Sequence, residues 1–367
     1  MAWVSECEVK GLRNIQEISL AGLRRFNIVE GANGAGKTSV LEALHLLGLG
    51  RSFRHQKSGP IINYDRQKFT VSGKVYAQQG ERLGRSVQVV KSRKTADSFI
   101  EIQGNRCLSA AELAGILPLQ LIDSDAFELL EGPPNTRRRY LDWGVFHVEH
   151  RFLDEWKRCQ RVLKQRNNLL RRGKIVPSEL EPWDAELVTL VTSISAKRDN
   201  YLAQLEPIVQ EVLVSLWPEG LGMELSLQVG WDVELSFEEA LWRHRDQDIL
   251  QGYTHVGSHR AELRCRIRGH RVADVLSRGQ LKLLASSLKI AQAMHLQQYC
   301  GKQCVFLVDD LPAELDMQRR EKLCKVLEEV GCQVVITCID RSAVGLRNVR
   351  PEELRVFHVE HGEVGKT

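Results

Sequence analysis

The sequence predicts an α/β protein with an inserted antiparallel sheet and a helical, coiled-coil-like arm, and three stretches predict it. An apolar run at 25–30 leads through a glycine-rich loop into apolar residues at 40, 41, 44 and 47, which is helical spacing. From 68 to 106 the pattern becomes alternating, with Phe69, Val71 and Val75, then Val87 and Val89, then Ile100 and Ile102, separated by glycine-containing turns. From 151 to 217 apolar residues recur at helical spacing, and Gly173, Pro177 and Pro182 break the run into two helices.

In chain order, the strand, loop and helix open a head, and the alternating segment is an antiparallel sheet inserted after that helix. The arm either projects from the head or packs beside it. Strands at 225–229 and 261–267, a helix from Arg278, a buried strand at 304–308, another helix and a strand at 333–337 then resume the α/β pattern. The expected division is 1–150, 151–220 and 221–367. The hexapeptide Val145-Phe146-His147-Val148-Glu149-His150 recurs at 356–361 without matching flanks, and is read as coincidence rather than a repeated domain.

With 367 residues and 43% hydrophobic content, the chain can bury a sizeable core plus a second lobe. Its net charge of +4 is modest, so any nucleic-acid role must rest on local clusters of Lys and Arg. The first residues meet acids at once and no long apolar run follows, so a cytoplasmic location is expected. The nine cysteines are scattered without Cys-x-x-Cys spacing, which fits reduced core thiols better than a disulfide framework.

Three motifs carry chemistry. Gly31-Ala32-Asn33-Gly34-Ala35-Gly36-Lys37-Thr38 satisfies the phosphate-loop pattern: backbone N–H groups close around phosphate oxygens, Lys37 reaches the β/γ oxygens of ATP, and Thr38 ligates Mg²⁺. Asp309 and Asp310 end an apolar strand, where a metal-side acid and a water-polarising acid belong. Leu276-Ser277-Arg278-Gly279-Gln280 precedes a helical run, and serves either as a second anion site or as a plain helix cap by Ser277.

With these motifs the chain resembles the RecF family, recombination-mediator ATPases of the SMC-like branch of the ABC ATPases. Further family-like stretches run in order along nearly the whole chain: Leu12-Arg13-Asn14-Ile15, Gly50-Arg51-Ser52-Phe53-Arg54, Arg137 to Gly144, Leu163-Lys164-Gln165-Arg166-Asn167, and Gly257-Ser258-His259-Arg260-Ala261-Glu262-Leu263. The resemblance implies an ABC-type ATPase head that binds ATP and Mg²⁺. Arg13, Asn14, Ser277, Gly279 and Gln280 would join the phosphate loop as nucleotide contacts, Thr38 and Asp309 would hold the metal, and Asp310 and Lys37 would be catalytic. It implies an ATP-dependent homodimer with Lys37 of one subunit facing Ser277 and Gly279 of the other. It also implies binding to gapped or junction DNA, work with RecR and RecO, help in loading RecA, and a link to the SOS response. Ala313 departs from the usual serine, Gly257-Ser258-His259 from Gly-Pro-His, and no switch histidine follows Thr337. Asp310 is shorter than the glutamate of transporter ATPases, which fits slow, switch-like hydrolysis; the resemblance implies that this weak ATPase is stimulated by DNA.

Three basic clusters are candidates for DNA. Arg151, Lys157, Arg158, Arg161, Lys164, Arg166, Arg171, Arg172 and Lys174 oppose only two acids on the first arm helix; they read equally as a solvated face or as phosphate contacts. Arg260, Arg264, Arg266, Arg268 and Arg271 form the second, and Arg51 with Arg54 the third. No aromatic platform for single strands stands out. His255, His259 and Cys265 lack a partner set for zinc. The competing functions are the ATPase subunit of a membrane transporter and a scaffold that uses ATP only to hold a dimer together.

Overall fold

The structure, a computed structural model, describes residues 2–55, 57, 59–76, 83–94, 97–107, 109–172 and 176–365. In chain order its elements are β1 (Trp3–Leu12), β2 (Ile15–Ala21), β3 (Phe26–Glu30), α1 (Lys37–Leu49), β4 (Lys68–Tyr76), β5 (Arg85–Ser92), β6 (Phe99–Ile102), β7 (Asn105–Arg106), α2 (Ala110–Ile116) and β8 (Leu119–Ile122). There follow α3 (Glu128–Glu131), α4 (Pro134–Val148), α5 (Phe152–Leu170), α6 (Glu181–Leu216), β9 (Met223–Gln228), α7 (Phe237–Arg243), α8 (Arg245–Gln251), β10 (Glu262–Ile267), β11 (His270–Arg271), α9 (Val272–Val275) and α10 (Arg278–Cys300). The chain ends with β12 (Val305–Val308), α11 (Leu311–Glu314), α12 (Met317–Val330), β13 (Gln333–Cys338), β14 (Leu354–Glu360) and β15 (Glu363–Val364).

The chain forms two compact units, one of Met1–Ala126 with Lys282–Thr367 and one of Phe127–Leu281. The boundaries expected at 150/151 and 220/221 both fall inside the second unit, because α4 and β9 pack against α6 of the arm.

The first unit holds two sheets. One has the order β2-β1-β4-β5-β6-β7, all antiparallel. The alternating segment follows α1 in the chain as expected, and β4 pairs along β1, with Val71 opposite Val9, so that it continues the N-terminal hairpin. The other sheet has the order β15-β14-β3-β13-β12-β8, parallel except for β15. Every residue of β12 and β13 is buried, as the continuous apolar strands of a parallel sheet require.

In the second unit α5 and α6 run antiparallel, since Arg158 pairs with Glu186 and Glu155 with Lys197. The arm packs beside its neighbours within this unit: Tyr201 of α6 lies against Gly144 of α4, and Arg198 forks onto Asp142 at 2.8 and 3.0 Å. The three-stranded sheet β11-β10-β9 completes it. The repeated hexapeptide is helical at 145–148 and a strand at 356–360.

None of the nine cysteines forms a disulfide, and seven are buried. Among the described residues no helix is long and apolar enough to cross a membrane.

Candidate nucleotide site

The phosphate loop leaves the carboxyl end of β3 and turns into α1, the end of a parallel sheet where ligands characteristically bind. Two glycines are obligatory for different reasons. Gly36, at φ +117°, adopts a backbone that side chains disfavour just before the helix. A Cβ on Gly31 would stand 2.2 Å from the Val359 carbonyl oxygen. Lys37 is buried, and its ammonium donates to the carbonyls of Gly31 at 2.8 Å and Ala32 at 2.9 Å.

Strand β13 lies between β3 and β12, so the acids that end β12 approach the loop across an intervening strand. The Thr38 hydroxyl stands 3.1 and 3.2 Å from the two oxygens of Asp309, bringing together motifs 271 residues apart. Thr337, on the intervening β13, donates its hydroxyl to Asp309 at 2.7 Å and accepts the Asp310 N–H at 2.7 Å. Asp310 takes φ +45°. Burial pushes the Asp309 carboxyl above its ordinary range, and the hydroxyls of Thr337 and Thr38 oppose that shift. Asp123, just past β8, is likewise raised by burial and faces Lys289, whose own burial lowers it.

The two-residue turn between β1 and β2 supplies the other wall. Asn14 donates to the Gly34 carbonyl at 3.1 Å and accepts from the Ser39 hydroxyl at 3.0 Å. Arg13, at φ +53°, forks onto the fully buried Glu42 at 2.5 and 2.9 Å. The resulting cleft of about 530 Å³ is lined by Arg13, Asn14, Asn33, Gly34, Gly36, Lys37, Thr38, Asp309, Asp310 and Thr337. Ala32 and Ala35 hold the loop's shape through their backbone, Ala35 N–H donating to the Ala32 carbonyl at 3.2 Å.

Ser277, Gly279 and Gln280 belong to the second unit, at the start of α10. Ser277 N–H donates to Gln280 Oε1 at 2.9 Å and Gln280 N–H to Ser277 Oγ at 3.4 Å, the reciprocal pattern of a capping box.

Thr337 and Glu42 were not legible as site residues. The sequence around Thr337 shows only that a histidine is missing, and Glu42, though within the family-like stretch Leu41-Glu42-Ala43, shows no role of its own. Arg54, grouped by sequence with Arg51 for DNA, lines the nucleotide cleft instead.

On the basic arm helix, Arg166 does not face solvent. It is fully buried and bound to Asp184 and Asp248 at 2.6 Å each and to Thr254 at 2.8 Å. Arg151, Lys157, Arg158, Arg161, Lys164, Arg171 and Arg172 are exposed, and Lys174 lies outside the described residues. His255 Nδ1 meets Asp248 at 2.7 Å and His259 Nε2 meets the Thr254 carbonyl at 3.1 Å, and no group of three metal-ligating side chains occurs among the described residues.

Residues 3–364 match the family model of the RecF/RecN/SMC N-terminal domain. The chain is 44% identical over 99% of its length to the DNA replication and repair protein RecF of Pseudomonas paraeruginosa, covering 98% of that protein. To the RecF of Azotobacter vinelandii it is 46% identical, over 98% of this chain and 97% of that one. Among solved structures it resembles an ATP complex of the recombination mediator protein RecF of the RecFOR pathway, with TM-score 0.87 at 25% identity over 100% of this chain and 99% of that one. The Smc head domain of Pyrococcus furiosus shares the fold, with TM-score 0.57 at 16% identity over 99% and 95% of the two chains. A phosphate loop joined to a strand-end carboxylate on an SMC-head fold, together with full-length identity to these proteins, shows that the chain belongs to the RecF family of DNA replication and repair proteins.

Proposed function

We propose that the protein is an ATP-driven clamp of DNA repair. ATP and Mg²⁺ would close two copies on gapped or junction DNA, and slow hydrolysis would reopen them. The observation that carries this reading is the approach of the Thr38 hydroxyl to Asp309 beside Lys37. A hydroxyl and a carboxylate are the hard oxygen donors that Mg²⁺ takes alongside substrate phosphates. The loop N–H groups and the α1 N-terminus favour anions, so the residues fit both groups. The metal would neutralise charge developing on the transferred phosphoryl group. Asp310 then orients the attacking water, and Thr337 fixes Asp310 through its N–H.

Exposed Ser277 and half-buried Gly279, at a helix N-terminus, supply the second face of the clamp when contributed by another copy. Family membership favours this reading over a transporter subunit. It also supports work with RecO and RecR, help in placing RecA, a role in the SOS response and a cytoplasmic location.

Size-exclusion chromatography with ATP or ADP, with and without gapped DNA, tests the proposal. ATP should give dimers that retain DNA, Lys37→Ala should remove them, and Asp310→Asn should lengthen the lifetime of the ATP-bound dimer on DNA. Nucleotide-independent behaviour, or faster DNA release by Asp310→Asn, would overturn it.

A further inference from the structure

Within the second unit, the loop that follows α8 gathers three planar side chains. The Arg260 guanidinium lies over the Tyr253 ring, 5.6 Å from its centroid, and the His255 ring centre is 4.2 Å from the same ring, inclined by 34°. Tyr253 is 36% exposed and Arg260 is exposed.

The group is held from below. His255 Nδ1 meets Asp248 at 2.7 Å and its Nε2 meets Gln251 Oε1 at 2.8 Å, the same oxygen that accepts the Tyr253 hydroxyl at 2.7 Å. Asp248 is fully buried and bound by Arg166. Thr254, between the two rings, donates both its N–H and its hydroxyl to Asn167, at 2.9 and 2.7 Å. Farther along the loop, Arg198 donates to the Ser258 carbonyl at 2.8 Å. Rings fixed in this way lose little further freedom on binding a ligand.

The rim is basic. A Cβ on Gly252 would stand 3.3 Å from Arg171 Cγ, so the end of the basic arm helix borders the loop, and exposed Arg172 follows. The buried Asp248 carboxylate is already matched by Arg166.

We propose that Arg260, Tyr253 and His255 form a stacking platform for an unpaired base of DNA, with Arg171 and Arg172 taking the flanking phosphates. The proposal rests on the DNA-binding reading above and assigns it a site. A column of guanidinium and aromatic planes accepts a further planar group without regard to sequence, and a basic border suits a ligand that carries a phosphate beside each base. Intact duplex offers no free base face, so the platform distinguishes gapped or tailed DNA from closed duplex.

The test uses the full chain with ATP, a gapped duplex carrying 2-aminopurine at the first unpaired position, and an intact duplex of the same length. Binding of the unaltered protein should quench the 2-aminopurine. Tyr253→Ala should abolish the quench and weaken gapped-DNA binding about tenfold, leaving intact-duplex affinity unchanged, whereas Tyr253→Trp should preserve both. Melting temperatures check that the variants are folded. If Tyr253→Ala fails to fold, the unaltered protein decides: binding of gapped DNA without a quench overturns the platform. Equal weakening on both DNAs, or unchanged gapped affinity, also overturns it. If the unaltered protein binds neither DNA, it is the DNA-binding reading that fails.

Discussion

Asp309 carries a cost that its position demands. A carboxylate beside a phosphate loop must sit where water is scarce, and burial raises its proton affinity while the two threonine hydroxyls restrain the rise. For a carboxyl raised on folding, the stability contribution is fully present below the ordinary value near 3.8 and is lost as pH rises through the folded-state value. At neutral pH the nucleotide-free protein therefore bears a buried charge that the Thr337 and Thr38 hydroxyls offset only in part. Asp309→Asn should raise the melting temperature of the nucleotide-free protein at pH 7, narrow its advantage as pH falls, and abolish hydrolysis. A melting temperature at pH 7 below that of the unaltered protein would contradict this account. The same scale shows where sequence reading stops. Lys37, Thr38 and Asp309 were legible because their motifs are local, whereas Thr337 matters only because β13 is the strand between them. Arg166 failed the other way: its neighbours in sequence made it look like a DNA contact, and its neighbours in space, Asp184 and Asp248, bury it. Removing one partner of such a buried pair typically costs about 3–5 kcal/mol.

At the level of elements, periodicity located the strands and helices but not their partners. The segment Val-Phe-His-Val-Glu-His makes this concrete. In α4 it buries Val145 and His147, and in β14 it buries Phe357 and Val359, so one string serves a helix and a strand according to what packs on it. The antiparallel sheet was similarly legible as strands inserted after α1, but its union with the N-terminal hairpin was not, because the pairing of β4 with β1 is a long-range event that alternation does not encode. The junction of α4 with α6 gives a test at this scale. A Cβ on Gly144 would lie 2.1 Å from the Tyr201 ring, far inside contact distance. Gly144→Ala should therefore destabilise the protein by about 1–3 kcal/mol despite the better helix propensity of alanine, as measured by urea unfolding. A neutral or stabilising result would show that the two helices can separate freely.

For the molecule as a whole, the modest net charge conceals a strongly basic helix. Seven exposed Lys and Arg residues remain on and beside α5 once Arg166 is set aside. If about three to five of them meet phosphates, the log–log salt slope of duplex binding should be about −3 to −4.5. Replacing Arg161 and Lys164 by Glu should make that slope shallower by about 2 while leaving ATP binding intact. A salt-insensitive affinity would exclude this helix as a DNA contact. The ABC-type α/β class was readable because its motifs follow in order; the division into units was not, since the chain leaves the first unit at Ala126 and returns at Lys282.

That long excursion bears on how the protein is made. Both neighbours of β3, the strand that launches the phosphate loop, are β13 and β14, drawn from the last part of the chain. On the ribosome β3 must wait for roughly 300 further residues, about 15–60 s at ordinary elongation rates. Throughout that interval β3 has neither edge paired, so the phosphate loop it launches cannot be fixed in its sheet until β13 and β14 have emerged.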